Sequence, residues 1–281
     1  MKALRTSWTF FIYSNLFIAV CAVLLTHQLY RLVLNSPVNP QYAGFVFFST
    51  LCSYSFHWYF SSTSVLPSAR INWLNRFRNV HAIFFFLGLA GVLFFISYFL
   101  EFWPWLLAAA AATFLYSAPK IPNKYLRLLR KVALGKTIFL AAVWTYVTTV
   151  LPIIISGQDW TPAFSLFVIS RYFFIYAICI LFDLRDREDD KAAGIRSLIT
   201  YLGTGSIKIL FTISLLIFAI ATLLLYNYHF SSVQIMLLSA PGIILALLYN
   251  RASRDFSDML YYFVLDGLLA FSALLTLIAG I

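Results

Sequence analysis

The chain has 281 residues, of which 62% are hydrophobic and only 11% charged, with a formal net charge of +10. A soluble domain carries about 25% charged residues, so a soluble globular protein is excluded, and the long apolar blocks point to an integral membrane protein. In that setting the basic excess reads as a topology signal and not as a nucleic-acid footprint.

Counted in spans of about 20 residues, the chain gives nine: 8–30, 41–64, 80–100, 102–118, 132–155, 162–182, 206–228, 232–249 and 257–280. The apolar core of the first is longer than that of a secretory leader. No small-x-small site follows at Thr26-His27-Gln28, so it is expected to remain as a span. Asn15 inside it predicts an interhelical hydrogen bond. Pro37, Asn39 and Pro40 mark a short outer turn.

The second span ends in a polar stretch, Cys52 to Pro67, that contains His57 and no carboxylate. Arg70, Arg76, Arg78 and His81 follow. Gly88 and Gly91 predict close helix packing in the third span, and Ala108 to Ala112 predict tight contact in the fourth. Beyond Tyr116, Pro119 and Pro122 break the helix around Lys120. Lys124 to Lys136 is basic, and reads either as a surface helix on anionic lipid or as one wall of an anion site. Arg171 lies roughly midway through the sixth span, where an ionisable group costs at least ~2.5 kcal/mol. The expected partner is Asp266 of the ninth span; the alternative is that each faces a watery cavity. Cys21, Cys52 and Cys179 fall inside spans with no metal-ligand spacing, and read as buried thiols. With nine spans, eighteen of the 20 Lys and Arg residues share one face. By the positive-inside rule that face is cytoplasmic, with the N-terminus inside and the C-terminus outside, as in a plasma (inner) membrane protein.

The most concentrated chemistry is Asp183 to Gly203. It holds five of the ten acidic residues: Asp183, Asp186, Glu188, Asp189 and Asp190. If Asp186 to Asp190 is helical, the i,i+4 spacing puts these two carboxylates on one face. Two such groups suit one Mg²⁺, a hard cation whose shell is completed by water and substrate phosphates. The plainer reading is a solvated charged loop between membrane helices.

These features together resemble the UbiA superfamily of intramembrane prenyltransferases. Its members are nine-helix bundles that move a prenyl group from its diphosphate to an acceptor, usually aromatic, in a cavity open toward lipid. Asp186-x-x-x-Asp190 followed by Gly194-Ile195-Arg196-Ser197 resembles the family's second aspartate motif, and Tyr116-x-x-x-Lys120 its Y-x-x-x-K element. The resemblance implies an all-α, polytopic nine-helix bundle forming a single domain over residues 1–281. It implies metal ligation by Asp186 and Asp190 with Asp183, and diphosphate binding by Arg70, Tyr116, Lys120 and Arg196. The implied ligands are a prenyl diphosphate, a lipophilic acceptor and one Mg²⁺. The family's first motif, N-x-x-x-D-x-x-x-D, is lost: its positions read His57, Ser61 and Val65. The runner-up is therefore a degenerate relative that binds an isoprenoid lipid or a protein partner without turnover. A transporter is disfavoured, since apart from Arg171 and Asp266 the spans lack paired polar groups or broken helices at mid-membrane.

Overall fold

The computed structural model describes residues 2–60, 68–117, 136–192, 194 and 197–281. Among these it is all helix and connecting turn, with no strand. The elements are α1 (Lys2–Tyr13), α2 (Leu16–Leu32), α3 (Pro40–Tyr59), α4 (Ala69–Arg76), α5 (Arg78–Ile96), α6 (Trp103–Ser117), α7 (Lys136–Thr145), α8 (Leu151–Ile155), α9 (Pro162–Arg185), α10 (Arg187–Ala192), α11 (Leu198–Tyr201), α12 (Thr204–Leu224), α13 (Ser232–Ala252) and α14 (Asp266–Ile278). A π-helical turn, Tyr146–Val150, joins α7 to α8, and another, Leu260–Leu265, leads into α14.

Local sequence explains most helix starts. Asn39 accepts hydrogen bonds from the Gln41 and Tyr42 amides ahead of Pro40, and Thr161 caps α9 ahead of Pro162. Ser231 and Gln234 form a reciprocal capping box on α13. Asn15 breaks the first expected span: it takes a left-handed conformation (φ 72°), and the helices on either side are bent by 62°.

Six helical segments among the described residues are long and apolar enough to cross a bilayer, or seven if the bent α1–α2 pair is one span. Nine spans are thus not reached by length and apolarity. The bent first span is one reason. A second is α3, whose 20 residues carry Gln41, Ser49, Thr50, Ser53, Ser55 and His57. The third is that expected spans three and four lie in one 39-residue helical stretch, Arg78–Tyr116. Straight, that stretch would be about 58 Å long, twice a bilayer core. It folds back instead at the 3₁₀ turn Ser97–Phe102, where Phe99 leaves helical geometry.

The contacts show the reversal. Phe85, early in α5, packs on Phe56, late in α3, so these two helices run antiparallel. Trp105, early in α6, accepts a hydrogen bond from Tyr146, level with the Tyr42 hydroxyl that bonds the neighbouring Val147 carbonyl. Tyr116, at the other end of α6, stacks on His57 at the end of α3. The expected glycine contacts are present. A Cβ on Gly88 would lie 2.7 Å from the Cys52 amide nitrogen, and one on Gly91 2.2 Å from the Phe48 ring. The alanine expectation fails: of Ala108 to Ala112 only Ala109 is buried. Cys21 and Cys179 are buried and Cys52 half-buried, all three as free thiols.

Helix α9 is the axis of the bundle. It packs on α7, α12 and α13, and most of its side chains are buried. The ends of α3, α6 and α9 and the start of α7 meet at one end of the bundle with the short helices α4, α10 and α11. This charged end holds the candidate site.

Candidate functional site

A cavity of about 570 Å³ runs into the bundle between α1, α2, α3, α4, α5, α6, α7, α9 and α14. Its walls are apolar and aromatic, with Phe45, Leu89, Leu106, Trp144, Ile178 and Leu269 among them. Its charged lining is Arg70, Lys136, Asp183, Asp186 and Asp266, joined by the Tyr116 hydroxyl. A smaller cavity of about 400 Å³ between α12 and α13 has, among the described residues, Lys208 as the one charged side chain in its lining.

The acidic stretch is shaped by a helix break. The last turn of α9 carries Asp183. Asp186 ends that helix, its amide bonding the Phe182 carbonyl at 2.9 Å. The chain turns directly into α10, where the Asp190 amide bonds the Asp186 carbonyl at 2.8 Å. Gly194 then takes φ 68°, a left-handed position suited to glycine after a helix end. The break turns Asp190 back beside Asp183.

Between these two carboxylates lies the ammonium of Lys136, the first residue of α7. Its Nζ is 3.0 Å from Asp190 Oδ2 and 3.4 Å from Asp183 Oδ1. Thr137, next in sequence, donates its hydroxyl to the other oxygen of Asp183. Burial raises the Asp190 carboxyl above the usual carboxylate range, and the Lys136 charge opposes that rise without cancelling it. Asp186 lines the cavity directly.

Arg70 is held by a second network. Ser68 caps α4, accepting from the Ile71 amide, and its hydroxyl also donates to Asp258 at 3.1 Å. The Arg70 amide donates to the same carboxylate at 2.8 Å, and Arg185 pairs with it through its guanidinium. The Arg70 guanidinium is sandwiched between the Trp58 and Tyr262 rings, 4.0 and 4.1 Å from their centroids. It donates to Asn15 Oδ1 at 2.6 Å, and Asn15 reaches His81 at 3.2 Å.

The sequence-derived candidates sort as follows. Arg70, Tyr116, Asp183 and Asp186 line one cavity, and Asp190 joins them through Lys136. Lys120 and Arg196 lie outside the described residues, as do Ser61 and Val65 of the lost motif. His57, at the first position of that motif, stacks on Tyr116 with ring centroids 5.3 Å apart. The Arg171–Asp266 pair is not formed. Arg171 donates to Gln28 Oε1 at 2.9 Å and toward the Leu25 carbonyl, while Asp266 lines the cavity. The neutral carboxamide of Gln28 on α2 is the acceptor that the guanidinium reaches. In the sequence Lys136 is only the end of the basic stretch that could wall an anion site, and nothing local marks Asp258 as the acceptor for α4 and α9.

Magnesium would be held by these carboxylates, with water and phosphate completing its shell. Among the described residues no group of three or more His, Cys, Asp or Glu side chains is placed to hold a metal ion. Two of the three expected ligands are already bridged by Lys136. As arranged, an ammonium stands between Asp183 and Asp190.

The known-protein comparisons agree with the architecture. No curated protein and no solved structure matches the chain. The family model described as UbiA prenyltransferase family matches residues 65–264, which run from the α4 segment through the π-helical turn before α14 and cover well over half of the chain. Helical membrane fold, apolar cavity and family match converge: the chain belongs to the UbiA prenyltransferase family.

Proposed function

We propose that the protein transfers an isoprenyl group from a prenyl diphosphate to a lipophilic, aromatic acceptor within the membrane. The observation that carries this reading is the cavity, apolar along its length and polar where Tyr116, Lys136, Asp183 and Asp186 line it. A prenyl tail gains about 0.8 kcal/mol for each buried methylene, so the walls supply affinity and the polar end sets the direction of the tail. The C1–O bond of the donor breaks, a bond from C1 to the acceptor forms, and diphosphate and a proton leave. Trp144 and Phe182 line the cavity apart from the Arg70 sandwich, and aromatic faces favour an allylic cation as it develops. Lys120 and Arg196, with Arg70 and Tyr116, are the residues we assign to the diphosphate. The charged end faces the cytoplasm by the positive-inside rule.

The test uses membranes from cells expressing the full chain. Labelled farnesyl and geranylgeranyl diphosphates should bind, and Val143→Trp, which fills the cavity beside Trp144, should lower binding about tenfold or more. Binding equal to wild type in that variant would remove the cavity from the reading. A second reading, a relative that binds an isoprenoid without turnover, is favoured by the Lys136 bridge and the lost first motif. Labelled donor recovered intact after incubation with extracted membrane lipids would select it.

A further inference from the structure

We propose that Lys136 is the resident cation of the acidic site, so that Asp183 and Asp190 recruit no divalent metal and a prenyl ligand binds beside them without one. The ligand half of this inference rests on the isoprenoid reading above; the cation half does not.

The geometry carries it. The ammonium lies within 3.4 Å of one carboxylate and 3.0 Å of the other, with the Lys136 side chain 17% exposed and both acids at 7% or less. Such a triad has little water left to compete for it. A cation tethered to α7 has already given up the translational freedom that an ion from solution must lose. Thr137 occupies the remaining oxygen of Asp183, so that carboxylate has both oxygens engaged from α7. An ammonium has three N–H donors. They are shared among both Asp190 oxygens, at 3.0 and 3.3 Å, and Asp183 at 3.4 Å, and Lys136 also lines the cavity, where a ligand can meet it. The plainer account is that Lys136 only staples α7 to α9 and α10. The two accounts differ in what happens when the lysine is removed: a staple leaves weakened packing, whereas a resident cation leaves a vacant cation site.

Mn²⁺ is the probe, followed by electron paramagnetic resonance on the purified full chain in nanodiscs, with and without geranylgeranyl diphosphate. Wild type should bind no Mn²⁺ at this site. Lys136→Met should acquire one bound ion, and Lys136→Met with Asp190→Asn should lose it again. In parallel, calorimetric binding of geranylgeranyl diphosphate to wild type should change by less than about threefold between EDTA and Mg²⁺, and become magnesium-dependent by about tenfold in Lys136→Met. Bound Mn²⁺ in wild type that disappears in Asp190→Asn would overturn the proposal. So would wild-type ligand binding abolished by EDTA, and these wild-type measurements decide the question even if Lys136→Met does not fold. Absence of ligand binding under both conditions would instead overturn the isoprenoid reading and leave the Mn²⁺ result to judge the cation.

Discussion

Asp258 stands where three parts of the chain meet. It accepts from the Ser68 hydroxyl and the Arg70 amide of α4 and pairs with Arg185 at the end of α9. Both partners of the pair are buried, with side chains 7% exposed. Truncating one member of a buried pair costs about 3–5 kcal/mol, mostly because the other charge is left without compensation. Asp258→Ala should therefore lower the thermal unfolding midpoint in detergent sharply, and Arg70 should lose its position between Trp58 and Tyr262. Unfolding at the wild-type temperature would show that the pair contributes nothing. Single polar residues of this kind are poorly legible in sequence. Asn15 announced itself as a hydrogen-bonding group in an apolar run, and it does bond Arg70. Its second task, breaking the helix at φ 72°, left no local signal. For Arg171 opposite charge points to Asp266, whereas the membrane interior asks only for a hydrogen-bond acceptor, which Gln28 supplies.

Helices were legible because apolar runs, caps and prolines are local. The contacts between them were legible where small residues force close approach. Gly88 is such a place: its missing side chain lets α5 lie against the α3 backbone at Cys52. Gly88→Leu should push the two helices apart and cost about 1–3 kcal/mol by overpacking, seen as a lower unfolding midpoint. An unchanged midpoint would mean the helices separate without loss. The alanine run of α6 misled for the same reason in reverse. Small residues permit contact but do not compel it; Ala109 and Ala110 line the cavity. The Asp186–Asp190 spacing is helical, closed by the bond from the Asp190 amide to the Asp186 carbonyl, but it leaves out Asp183. The break between α9 and α10 instead sets Asp183 and Asp190 around Lys136, a meeting of residues 47 or more positions apart on the chain that no short window contains.

Over the whole molecule, the class of fold and the family followed from apolar content, the Asp186 to Ser197 motif and the Tyr116 element, and the family match bears both out. The orientation is a separate expectation with its own test. A single cysteine introduced at Lys208, in a chain whose Cys21, Cys52 and Cys179 are replaced by serine, should react with an impermeant maleimide only after the cytoplasmic face is opened. One placed at Asn227 should react from outside on intact cells. The reverse pattern would invert the topology. The cavity, by contrast, is not local: its wall is drawn from nine helices spread over most of the chain.

The fold-back of α5 and α6 has a consequence for handling the protein. Only 11% of the most apolar window of this stretch is buried by the rest of the chain, against 67% for α9. Phe86, Leu93, Phe94, Trp103 and Leu107 all point outward. The bilayer itself, through lateral pressure and acyl-chain contact, supplies most of what presses this paddle onto α3. Extraction into short-chain micelles removes that pressure, so amide deuterium uptake should rise first in Arg78–Tyr116 while α9 stays protected, and reconstitution into lipid should reverse the gain.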